Sequence, residues 1–272
     1  MAPDGENYRG INAVRVLSNK KDFTLDKVIA SGYDTYLAAF EKTIPALVQA
    51  FEKNDMSGDP MFAQLQDAIK ILKEWDLRCG ENSVATTLAV TWGQKLLPVI
   101  AKVTISYPSL DQVDRTNKFI DLASPKDLTD PLIRAIKDLQ NDYGKWQIAW
   151  GEINRFQRIS SDIDNKFDDN QPSIPVAFAS STWGMLPSYA STKFPNTKKR
   201  YGVNGNSFIC AVEFGKRIKA KSLLAGGESG DPNSKHFFDQ GTMYSKGQFK
   251  DVLFYRDDVL KHVERSYHPG EK

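Results

Sequence analysis

SFICAVEFGKRIKAKSLL (Ser207–Leu224) decides the fold class, because it is the clearest strand signal in a chain whose earlier half reads as helix. Phe208, Cys210, Val212 and Phe214 alternate with Ile209, Ala211 and Glu213, the period of a half-buried strand. Gly215 turns the chain, and Arg217, Lys219 and Lys221 then alternate along a second strand, expected on its wet side. The hairpin runs into GGESGDP (Gly226–Pro232), where a serine between glycines resembles a nucleophile elbow. That pattern, G-x-S-x-G, needs glycine two places after the serine, and Asp231 stands there instead of glycine. Ser229 is therefore read as a turn residue in a loop of turn formers.

Upstream the period changes to three and four. Thr24 caps a helical pattern carrying Leu25, Val28, Ile29, Tyr33, Tyr36, Leu37, Phe40, Ile44, Leu47, Val48 and Phe51, which predicts one helix of about eight turns kinked at Pro45. A second helix is expected from about Pro60, with Phe62, Leu65, Ile69, Leu72 and Trp75 on one face. A third follows Asn82 or Ser83. A fourth is bounded by Asp130 as N-cap, Pro131 at the first helical position and Gly144 just past the end. PSIPVAFASS reads as a strand with proline at its edge, after a polar loop from Ser160 to Ser173. Short helices are expected over Ser234–Tyr244 and Asp257–Arg265. Helices, then paired antiparallel strands, then helices make the class α+β, with a mainly helical segment 1–159 and a strand-bearing segment 160–272 forming one structural unit.

The 272 residues have a formal net charge of +2, which gives no reason to expect a nucleic-acid partner. The uncharged, apolar-leaning stretch Ser83–Gln94 is well short of the roughly 20 residues of a membrane span. MAPDGENYRG has neither a basic nor an apolar leader region, so no secretion signal is expected in it. Cys79 and Cys210 suit one disulfide or two buried thiols.

Local motifs supply no self-sufficient active site. His236, His262 and His268 lie 26 and 6 residues apart, which fits no zinc spacing. DIDNKFDDN (Asp162–Asn170) alternates acids as a calcium loop does, but Phe167 replaces the required glycine and Ser173 the closing glutamate. KFPNTKKR reads as a solvated basic loop, and the glycines around Gly202 and Gly205 lack the lysine of a P-loop. The acids are too numerous to single out a glycosidase pair.

Two stretches carry a resemblance. GENYRGINAVRVL (Gly5–Leu17) and SLLAGGESGDPNSKHFFDQGTMYSKGQFKDVLFYRDDVLKHV (Ser222–Val263) are similar to the C-terminal portion of the large subunit in the penicillin acylase family. GNSF (Gly205–Phe208), SVATTLAVTWG (Ser83–Gly93) and WGEINRFQR (Trp150–Arg158) fit the same order.

The resemblance implies an αββα N-terminal nucleophile hydrolase sandwich that cleaves N-acyl amides such as penicillins, related β-lactams or acyl-homoserine lactones. In that family a self-cleaved precursor exposes a serine whose own α-amino group acts as base, with backbone and asparagine donors at the oxyanion. Met1 and Ala2 offer no such hydroxyl and the sequence has no Gly-Ser pair, so the expectation is a fragment, inactive alone, whose partners are the remaining precursor segments. Asn12 and Asn206 are not given the oxyanion role. The family's active-site arginine, six residues before another arginine, matches Arg9 with Arg15, which implies that Arg9 orients substrate; the other reading is an exposed charge at the start of a helix. No metal or cofactor is implied, and the family's habit is periplasmic. Deprived of neighbouring strands, the hairpin is expected to leave an open edge and to favour homo-oligomers. The alternatives are a non-catalytic binding or structural module that keeps the acylase fold, and an unrelated α+β enzyme using His236 or His262 as base.

Overall fold

The computed structural model describes residues 4–162, 166–268 and 270. Its first half holds α1 (Tyr8–Leu17), α2 (Leu25–Gly32), α3 (Phe40–Lys53), α4 (Phe62–Lys73), α5 (Val84–Val103), α6 (Gln112–Leu122) and α7 (Pro125–Tyr143), followed by the single turn α8 (Trp150–Ile153). Local chemistry fixes many of the starts. Asn7, Thr24, Ser83, Asp111 and Ser124 each accept a backbone N–H with the side chain, satisfying one of the donors that a helix N-terminus leaves open. Helix α5 is the axis of this half. Its Leu88, Ala89 and Trp92 are fully buried, and the Trp92 indole N–H donates to Leu128 O at 3.1 Å, tying α5 to α7.

Two helix expectations are corrected. The pattern from Leu25 to Phe51 is two helices, and the break falls at residues 33–39, not at Pro45, which sits inside α3. The backbone of that segment finds tertiary partners instead: Leu37 N donates to Leu77 O at 2.9 Å, Cys79 N to Thr35 O at 3.0 Å, and Ala39 N to Trp183 O at 3.1 Å. The helix expected to start at Asp130 starts at Pro125. Ser124 and Asp127 form a reciprocal capping box, and Pro131 is carried inside the helix; Gly144 ends it in the left-handed conformation (φ 75°) as expected.

Two small sheets follow. The first contains β1 (Asn154–Phe156), β2 (Ile174–Pro175), β3 (Tyr189–Lys193) and β4 (Arg200–Gly205) in the order β2-β1-β4-β3. Its β1–β4 pair is parallel, through Asn154↔Arg200 and Arg155↔Tyr201, which corrects the expectation of antiparallel strands throughout. The second sheet, β5 (Phe208–Glu213), β6 (Lys219–Leu224) and β7 (Lys250–Asp251), is antiparallel and contains the expected hairpin. The terminal helices are shorter than expected, α9 (Gly241–Lys246) and α10 (Arg256–Leu260).

The side of the second strand that carries Lys221, expected to be wet, is the inner one. Ala211 and Leu223 are buried and Ile209 packs on the core, whereas Phe208 is 63% and Phe214 83% exposed, with Cys210 and Val212 beside them. Strand β5 lies against α2, and Ile209 and Ala211 are on its inner side. Lys221 lies on this inner side and reaches Asp26 of α2 at 2.9 Å. Both cysteines are free; Cys79 is buried, with its thiol pushed up by burial, and Cys210 is exposed. A contiguous apolar core runs from Tyr8 to Tyr244 and joins both halves of the chain.

Candidate functional site

Arg9 is the second residue of α1, and Asn7 caps that helix by accepting the Gly10 N–H at 2.9 Å. Its Nη2 donates to Leu186 O at 2.8 Å, so the guanidinium is held at the lip of a cleft of about 590 Å³. Gly10, Ala13, Leu186, Asn206 and Ile209 share that cleft with it. The α1 stretch and GNSF (Gly205–Phe208), which fits the same resemblance, thus meet at one place.

Six residues along a helix is close to two-thirds of a turn out of phase, so Arg15 points elsewhere. It lies over the Tyr36 ring, 3.4 Å from its centroid, and its Nη2 donates to Asn12 Oδ1 at 2.6 Å. Asn12 is completely buried. Its Nδ2 lies 3.1 Å from Asp34 Oδ1, 3.2 Å from Tyr36 O and 3.1 Å from Gly184 O. Asp34 also takes Arg78 Nη1 at 2.9 Å. Burial works to raise the Asp34 carboxyl, but the hydrogen bonds from Arg78, the Tyr36 N–H and Asn12 outweigh it, and its pKa is lowered. Burial, then the neighbouring Glu41, pushes the Tyr36 hydroxyl up to about 12 against the opposing charge of Arg15. This node fixes the helix that presents Arg9. Asn12 is a structural member of this node, whereas Asn206 lines the Arg9 cleft, brought beside Arg9 by the fold.

The other candidates are placed as follows. Ser229 lies in a turn that glycine makes feasible: Gly226 has φ 100°, and a Cβ on Gly227 would stand 2.3 Å from His236 O. Gly230, by contrast, has open space around its Cβ position and needs no special backbone. Ser229 Oγ accepts the Asp231 N–H, and the hydrogen bond between Ser229 and His236 is backbone to backbone. His236 Nδ1 lies 2.7 Å from Asp239, so serine, histidine and aspartate gather here without a hydroxyl-to-imidazole bond. His262 Nδ1 faces Asp258 O.

Among the described residues no group of three or more His, Cys, Asp or Glu side chains could hold a metal ion, and no helix is long and apolar enough to cross a membrane. Residues 163–165 of the calcium-like stretch lie outside the described residues. Its Asp169 is engaged by the Lys198 N–H at 2.6 Å and the Tyr201 hydroxyl at 2.9 Å. Those contacts also occupy the basic run, whose Lys193 pairs with Asp142 at 2.7 Å.

Residues 2–261 match the Penicillin amidase family. Among solved structures the chain is similar to a thermostable penicillin G acylase from Alcaligenes faecalis in an orthorhombic form, with a TM-score of 0.50 and 15% identity over 97% of this chain and 52% of that one. The chain thus spans about half the length of that acylase chain. Helices, two small sheets and this likeness define a mixed α+β fold of the penicillin acylase class. The chain belongs to the penicillin amidase family of hydrolases.

Proposed function

We propose that this chain is the C-terminal portion of an amide hydrolase acting on N-acyl amides of the penicillin, related β-lactam or acyl-homoserine lactone type. It supplies the Arg9 cleft and scaffold strands, while the serine nucleophile and oxyanion donors come from the remaining segments of the protein. The observation that carries the reading is the Arg9 guanidinium, anchored through one nitrogen to Leu186 O and presented at a cleft of about 590 Å³. A planar fork of five donors anchored at one corner keeps others for a substrate carboxylate or carbonyl. The open β5 edge, beside the exposed Phe208 and Phe214, offers the place where missing strands would dock.

A chromogenic N-acyl amide tests this in two arms. The purified chain should give no turnover, and rapid turnover would mean that the nucleophile lies within it. In the complete acylase, Arg9→Ala should lower kcat/KM by about 100-fold, on the scale of losing a charged donor near the reacting carbonyl. Arg9→Lys should recover part of the loss. An unchanged kcat/KM in Arg9→Ala removes Arg9 from the site. A complete protein that binds such amides without cleaving any would instead fit a non-catalytic module.

A further inference from the structure

Arg200, the first residue of β4, is a half-buried cation that pairs with no carboxylate among the described residues. Its Nη2 donates to Ser191 O on β3 at 2.7 Å, and its Nε lies 3.5 Å from Ser191 Oγ. The nearby acids are committed elsewhere, Asp142 to Lys193 and Asp169 to the Lys198 N–H and Tyr201 hydroxyl. Burial works against the charged form of Arg200, and the neighbouring Tyr143 acts in the opposite direction. Arg155 in the same sheet differs, because Glu81 lies close enough to favour its charge. Taking a guanidinium out of water without an opposite charge is costly, so a site that keeps one is suited to an anion brought by a ligand.

Arg200 lines a cavity that has room for one. About 170 Å³ lies between Trp150, Trp183, Tyr189, Gln94, Ser180 and Arg200. Two indoles and a phenol supply flat apolar walls. Ser180, Ser191 and Gln94 supply neutral hydrogen-bonding groups near the guanidinium. The volume falls below the roughly 300 Å³ at which drug-sized ligand pockets begin, so the occupant must be small. This cavity and the Arg9 cleft have no lining residue in common, and nothing in its chemistry depends on amide hydrolysis.

We propose that the cavity between β3, β4 and α5 is a binding site for a small organic carboxylate with a compact apolar body, the carboxylate paired with Arg200 and the body held against Trp150 and Trp183. A carboxylate can use the remaining guanidinium donors side by side, which a neutral amide of the same shape cannot match in charge.

Benzoate and benzamide, titrated into the full chain, separate the charge from the shape. Binding is read by tryptophan fluorescence and calorimetry. Benzoate should saturate and bind about tenfold or more tightly than benzamide, the scale of a hydrogen bond to a charged group. Arg200→Gln should abolish that preference, and Arg200→Lys should keep part of it, since an ammonium retains the charge and loses the fork. Circular dichroism checks that each variant is folded. Gln94→Trp, at an exposed position on the cavity rim, should block both ligands and serves if Arg200 variants do not fold. Equal affinity for the two ligands, absence of saturable binding to the folded chain, benzoate preference surviving in Arg200→Gln, or binding unchanged in folded Gln94→Trp each overturns the proposal.

Discussion

The α1 region, which carries the first stretch of the family resemblance, and the β5–β6 hairpin, which runs into the second, are finished to different degrees within this chain. Around α1 every polar group that goes inside finds its complement: Asn12 serves Asp34, Tyr36, Gly184 and Arg15 at once. The hairpin buries only one side, and its outer side shows Phe208, Val212 and Phe214 beside an edge strand paired, among the described residues, with β6 alone. A buried amide network is satisfied here or it would be expensive, whereas an exposed apolar face costs nothing in the isolated chain and gains only when something covers it. Stability therefore belongs to the α1 side and assembly to the hairpin side.

The sharpest way to break this contrast is Asn12→Ala. It strips donors from two carbonyls and Asp34 and leaves Arg15 short of an acceptor, so we expect a loss of about 3 kcal/mol, the scale of buried groups left unsatisfied. Urea denaturation should move to a lower midpoint with an unchanged slope. A change within about 0.5 kcal/mol would place Asn12 with ordinary surface residues. Gly227→Ala comes next, because its Cβ would stand 2.3 Å from His236 O, a contact with backbone that a rotamer change cannot relieve. A cost of about 2 kcal/mol is expected, as for overpacked positions. If the chain is part of a longer acylase, as proposed, turnover of that protein should persist in the folded variant, because Ser229 is read as a turn residue.

Acid titration sharpens the same contrast. The Asp34 carboxyl is held below its ordinary value in the folded chain. Its contribution is thus fully present above the unfolded carboxylate value of about 3.9 and disappears as pH falls through the lower folded value. The stability of the wild-type chain should fall across that acidic window. Asp34→Asn should be less stable at neutral pH and flatter below pH ~4, measured by denaturation at each pH. An Asp34→Asn profile parallel to wild type would mean that the node does not feel the charge.

How much of this was legible in the sequence follows from how local each cause is. The caps at Thr24 and Ser83 and the left-handed Gly144 depend on residues within a turn, and they were readable. The break at residues 33–39 depends on Leu77 and Trp183, whose carbonyls compete for the same N–H groups, and no helical period reports that. Likewise, alternation along Ser207–Leu224 gives a strand's period but not which side is inside, because α2 decides it from far away in the chain. Arg9 entered through a motif spacing, and its neighbours Leu186 and Asn206 entered only when the fold brought them to the same cleft. The rest of the expected active site would lie with strands that this hairpin does not yet pair.

The smallest expected effect on stability tests that last point. Phe208→Ser and Phe214→Ser alter side chains that are 63% and 83% exposed, so each should change folding stability by less than about 0.5 kcal/mol. Their effect should fall on association, because serine removes the apolar surface that makes a paired edge sticky while leaving the backbone edge in place. The isolated wild-type chain should self-associate in light scattering, and the double variant should shift toward monomer at the same concentration. If the proposed remaining segments cover this face, the same pair should cost stability in the longer protein instead. A monodisperse wild-type monomer would mean that the hairpin's outer side tolerates water as it stands, and the division of labour between the two regions would fail at its weaker half.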